Sequence, residues 1–211
     1  MTKKFMAALL SLAAFAAMAV VPSMASASPH LTETPNVTVP VGAKITGTNE
    51  TNITLTTGSG HVTCTKSVLT GTVTENSGTS IKGNIETASF TNNTGGACSS
   101  TFPFNPSFTV DVENLPYCLT SEAGDTFTVR GGACGAAAKN LKFTLTGPAT
   151  CTYEAASISG TFNTNADLTM AFSEQTFTKT AGGFLCPNSG RLDGAYNVFT
   201  DNAEEKPLII T

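Results

Sequence analysis

From Lys44 onward, apolar and polar residues alternate in short runs. Leu141, Phe143 and Leu145 fall on one face of such a run, with Lys142, Thr144 and Thr146 on the other. Ile53 and Leu55 alternate with Thr54 and Thr56 in the same way. A period of two marks a half-buried strand. The runs are cut by Gly58-Ser59-Gly60, Asn76-Ser77-Gly78 and Gly147-Pro148, which are turn formers. Ala136-Ala137-Ala138-Lys139 allows one helical turn at most, too short to stand alone. The pattern predicts an all-β fold, a sandwich or a barrel.

The pattern also repeats. Cys64-Thr65 opens a segment that continues through Leu69, Gly71-Thr72-Val73, Ile81, Ile85 and Phe90 to Cys98. Cys151-Thr152 opens a second, through Ile158, Gly160-Thr161-Phe162, Leu168, Phe172 and Phe177 to Cys186. In both, the apolar parity slips between the last two apolar positions, which predicts a bulge in a long strand. The match predicts two pseudo-symmetric halves from an internal duplication, about 43–120 and 121–211, in one domain at 43–211. Residues 28–42, rich in Pro and Thr, read as an extended lead-in.

Lys3 and Lys4, the apolar run from Phe5 to Val21, and Ala25-Ser26-Ala27 have the layout of a secretory signal peptide over 1–27. No later segment is long and apolar enough to span a bilayer as a helix. The expected location is therefore secreted and extracellular. All six cysteines lie beyond that segment. An even count in an exported chain predicts disulfides. The repeat selects Cys64–Cys98 and Cys151–Cys186 as equivalent bridges and leaves Cys118–Cys134. A zinc site is the weaker reading, because there is no closely spaced cysteine pair and His30 and His61 are the only histidines.

The net charge is −4, and cleavage would remove two lysines and make it more negative. Basic residues are scattered, so no footprint for nucleic acid exists. Charged residues make up 12%, and Thr, Ser, Asn and Gly fill the polar positions. No G-x-S-x-G motif occurs, and two histidines supply little acid–base chemistry. The chain reads as a non-enzyme with no cofactor and no metal. The loop Phe102-Pro103-Phe104-Asn105-Pro106 is a candidate contact patch, or else a plug over the end of the core.

The ending Cys186-Pro187-Asn188-Ser189-Gly190-Arg191-Leu192-Asp193-Gly194-Ala195-Tyr196-Asn197-Val198, followed by Pro207-Leu208-Ile209-Ile210-Thr211, resembles that of uncharacterised secreted proteins of actinomycete-type Gram-positive bacteria. Cys64-Thr65 and Ser67 resemble the same group. The resemblance implies a compartment and a β fold, and carries over no activity. The expected function is a non-enzymatic secreted binding or surface-interaction protein. Its partner would be an extracellular protein, a glycan or a small apolar ligand. The alternatives are a β-barrel carrier of a small apolar ligand and, less favoured, an extracellular hydrolase. A hollow interior lined by Phe143, Phe162 and Phe172 would favour the carrier; an acidic cleft would favour the hydrolase.

Overall fold

A computed structural model describes residues 30–33, 37–123, 125–163, 167–201 and 208–210. The expected signal peptide, 1–27, lies outside them. The described residues are strands and turns, with no helix.

The chain weaves two rings. The start forms β1 (Leu31–Glu33) and β2 (Val37–Thr38), which pair with each other. β3 (Lys44–Asn49) enters the first ring. β4 (Ile53–Thr57) and β5 (Gly60–Cys64) form a hairpin of the second. β6 (Lys66–Asn76) and β7 (Ile81–Thr91) return to the first. β8 (Ser99–Ser100) and β9 (Thr109–Glu113) lie in the second, and β10 (Tyr117–Ala123) lies in the first.

The following residues repeat the weave. β11 (Thr126–Gly131) joins the first ring, β12 (Leu141–Thr146) and β13 (Thr150–Ala155) the second, and β14 (Ser157–Asn163) the first. β15 (Thr169–Ala181) and β16 (Ser189–Thr200) are long enough to serve both. β17 (Leu208–Ile210) closes the chain against β1.

The first ring is a closed barrel of eight strands in the order β16-β3-β6-β7-β10-β11-β14-β15, shut by pairing of β15 with β16. The opposite ends of that shared hairpin pair with β4 and β13. From there β5 and β8 run one way, and β12 and β9 the other. A single antiparallel bridge between Cys98 and Phe108 joins these two arms, with N–H···O distances of 2.8 and 2.9 Å. The outer strands thus form a second ring, held shut at its last seam by two hydrogen bonds.

Both expected slips are bulges. Glu86 is unmatched where Thr70 and Gly71 face Thr87 and Ile85. In β15 the register shifts between Phe172 and Gln175. An extra residue adds local twist and lets a long strand turn from one ring to the other. Gly71 and Gly160 stand beside the bulged strands. A methyl at either position would run into a carbonyl, Asn84 O or Ala171 O respectively. The repeated glycines are therefore required by close backbone approach.

The lead-in is more structured than a merely extended segment. Leu31 and Val39 are buried, and β1 pairs with β17 across one end of the barrel. Asn76 fixes this plug. Its Oδ1 accepts from Leu31 N at 2.9 Å, and its Nδ2 donates to Leu31 O at 2.8 Å and Val39 O at 2.9 Å. The polarity of Asn76 thus satisfies backbone groups that the plug would otherwise bury unpaired.

The disulfides are Cys64–Cys98, Cys118–Cys134 and Cys151–Cys186. The first ties β5 to the start of β8. The last ties β13 to the β15–β16 loop. Each is the pairing expected from the repeat. Three disulfides fit an oxidising environment.

Candidate functional site

Strand alternation brings the apolar faces of β4, β9, β12 and the outer part of β15 into the second ring. Leu55, Val110, Phe143 and Phe177 meet there. Leu69, Ile85, Val129 and Ile158 approach from the barrel. They leave an apolar cavity of about 110 Å³ where the two rings join. A second cavity, about 60 Å³, lies inside the barrel beside Val73, Leu119 and Met170. Leu69 and Ile85 belong to both linings and stand between them.

The interior is therefore partly hollow. Phe143 and Phe172 line the larger cavity, and Phe162 lines the smaller. Phe162 turns away because its ring packs on Phe127, at 4.7 Å between centroids. Phe172 meets the other edge of Phe127 at 5.1 Å. This aromatic cluster fills one side of the barrel, and such pairs add about 0.5–1.5 kcal/mol each beyond area burial.

Polar groups near the larger cavity have partners in the protein. The Tyr117 hydroxyl is 2.6 Å from Glu113 O and 2.9 Å from Lys142 O, and accepts from Lys142 N at 3.3 Å. Burial pushes its pKa up to about 12. The Tyr196 hydroxyl is 2.8 Å from Ser67 Oγ, which donates to Ser89 O at 2.9 Å. Burial raises the Tyr196 pKa as well. Lys142 Nζ pairs with Glu113 at 2.8 Å, and Asp193 Oδ1 accepts from Glu174 N at 2.8 Å. What faces the void is hydrocarbon and ring. Such a site selects by shape and apolarity, since a ligand's polar groups would find little to bond.

The two phenylalanines of the candidate contact loop separate. Phe102 packs edge-on against buried Phe108, at 5.8 Å, and closes the end of the second ring. Phe104 is 102% exposed. Phe102 thus lies against the core, and Phe104 projects into solvent. Phe184 and Leu185 are also exposed, at 94% and 63%. Sequence reading passed over them; the signal was an apolar pair directly after Gly182-Gly183 in a turn.

The remaining polar clusters are structural. His61 Nδ1 lies 3.2 Å from Thr101 Oγ1, which also accepts the His61 backbone N–H at 3.1 Å. That contact ties the β8–β9 loop to β5. Glu86 pairs with Lys44, and Glu75 with Lys82, on the barrel surface. Among the described residues no group of three or more His, Cys, Asp or Glu could hold a metal ion. Among those residues too, no helix is long and apolar enough to cross a membrane.

No protein family, curated protein or solved structure matches this chain.

Proposed function

We propose that this is an exported, non-enzymatic binding protein that carries a small apolar ligand in the cavity between its two rings. The observation that carries the reading is the apolar cavity of about 110 Å³. An apolar cavity of roughly 150 Å³ stays dry and takes up benzene, whereas drug-sized ligands need roughly 300 Å³ or more. The ligand class is accordingly a compact hydrocarbon or small aromatic, unless the wall opens to admit more. Export is supported by the signal-peptide pattern, the three disulfides and the resemblance to secreted actinomycete-type proteins. Descent from an internal duplication is supported by the identical order in which the two halves visit the rings.

Benzene is the probe that tests the cavity. Titrated into the protein and followed by methyl NMR, it should shift Leu55, Val129 and Ile158 in a saturable way. Ala88→Leu, which places a larger side chain at the cavity wall, should abolish those shifts while the fold persists. Absence of saturable shifts up to the solubility limit of benzene would overturn the reading.

A further inference from the structure

Four loops meet at the outer end of the second ring: 57–60, 101–107, 147–149 and 182–188. Their contacts run round the mouth in a circle. Thr101 N bonds His61 O at 3.0 Å, beside the first loop. A side chain on Gly147 would strike Ser107 and Phe108. Cys186 is bonded to Cys151, just after the third loop. Gly190 pairs with Thr57, which returns the circle to its start.

This end differs from the rest of the surface in two ways. None of the four loops contains Asp, Glu, Lys, Arg or His. Three of the five large apolar side chains that are exposed among the described residues, Phe104, Phe184 and Leu185, stand on it. They are convex: the two rings are exposed at 102% and 94% and so touch almost nothing of their own chain.

They are also held in place. Phe104 and Asn105 lie in left-handed backbone, φ 71° and 47°, between Pro103 and Pro106. Lys179 Nζ donates to Cys186 O at 3.0 Å and to Gly183 O at 3.5 Å, anchoring the other tip from below. Left-handed backbone at a non-glycine residue costs energy and is kept where the surroundings enforce it.

We infer that this end, whose four loops carry no charged residue and whose one nearby ammonium, Lys179, is bonded to loop carbonyls, docks on a lipid surface, with Phe104, Phe184 and Leu185 inserted at the interface of a zwitterionic bilayer. Projecting apolar tips need a medium that yields or a socket that fits. A second copy supplies no evident socket. Both cavities are interior, and the other large exposed apolar residues, Val37 and Val41, lie on the lead-in that plugs the opposite end. Phe and Leu side chains partition into the boundary between headgroups and acyl chains. The negative net charge, −4 or more negative, disfavours an anionic membrane. The inference rests on the loop end and not on occupancy of the cavity, so either can fail without the other.

The test is flotation of the full exported protein with phosphatidylcholine vesicles, at low and high salt. The expected result is co-flotation that salt does not weaken. Phe104→Ser and Phe184→Ser should each lower the partition coefficient about tenfold, as expected for loss of one inserted ring. Phe104→Leu with Phe184→Leu should retain most of the binding, and Val41→Ser, at the opposite end, should retain all of it. Retained disulfides and an unchanged unfolding midpoint show that each variant folds. Any of three results would overturn the inference: a wild type that never floats, flotation that needs anionic lipid and disappears in salt, or a serine double variant that floats like wild type. A wild-type dimer that the serine variants dissolve, with no flotation, would make a second copy the occupant and overturn it also.

Discussion

The two rings are built from similar strands, yet they are closed in different ways. Around the barrel every neighbouring pair shares a ladder, and the β15–β16 ladder that shuts it runs on, eight residue pairs in all, into the second ring. The second ring's last seam is the one bridge between Cys98 and Phe108. Two of the three disulfides, Cys64–Cys98 and Cys151–Cys186, lie on that ring. The larger cavity opens at its junction with the barrel, and the exposed aromatic tips stand at its outer end. Where ladders are continuous, hydrogen bonds close the sheet. Where the sheet is thin, two hydrogen bonds close it, and one disulfide braces each of the arms that meet there. Both proposed contacts, the cavity and the apolar tips, thus lie on the ring that carries these disulfides, with the barrel as its base.

The largest expected effect follows from this contrast. Replacing Cys64 and Cys98 together by Ala should cost about 3–4 kcal/mol by the chain-entropy estimate. The loss should be local at first. Amide hydrogen exchange at the backbone N–H of position 98 and of Phe108 should rise well before that of the β6–β7 ladder. Uniform acceleration in both rings would break the proposed division of labour. Replacing Cys118 and Cys134, whose separation of 16 encloses a shorter loop, should cost somewhat less and should not open the second ring.

A smaller effect is expected at the repeated glycines, which belong to the barrel. Gly71→Ala and Gly160→Ala should each destabilise by about 1–3 kcal/mol, because the carbonyls in the way are backbone and must move. Chemical denaturation measures this. A neutral Gly160→Ala would show that the β14–β15 spacing is loose, and would weaken the description of the barrel as the rigid partner.

The elements most legible in the sequence were those with two independent signals. The bulges near Glu86 and Glu174 were marked both by parity slips and by their recurrence in the two segments. The disulfide pairing was legible because the repeat removed the ambiguity among six cysteines. Strand existence followed from alternation, since a half-buried strand must expose every second side chain. The interleaving of two rings was not legible. Alternation says which face of a strand is buried, but not which of two cores buries it. Phe143 and Phe162 look equivalent in the sequence, yet they line different cavities because Phe127 draws one of them into the barrel. Nor could β1 be read from its few residues, because its pairing with β17 and the Asn76 clamp act across the whole chain.

The smallest expected effect is electrostatic, and it sharpens the comparison from the barrel side. Glu75 accepts from Lys82 Nζ at 2.7 Å and from the Ser80 hydroxyl, next to the plugged barrel end. The hydrogen bond from Lys82, followed by that from Ser80, holds its carboxyl down to about 2, from an ordinary value of 4.5. A carboxyl that binds protons less readily when folded contributes stability above the unfolded value. That contribution fades as pH falls from about 4.5 towards 2 and is gone below both. Glu113, on β9 of the second ring, is also lowered, chiefly by its hydrogen bond from Lys142. Both carboxylates are solvent-accessible, so screening keeps each contribution small. Glu75→Gln should flatten the acid limb of the stability curve measured by urea unfolding, by lowering the neutral midpoint slightly while the acid end stays unchanged, and should reduce the limb's sensitivity to salt. Glu113→Gln should flatten it less, with the remaining loss confined to the second ring's amides. If Glu113→Gln had the greater effect, the ionic support would belong to the tied ring, and the barrel would owe its rigidity to its ladders alone.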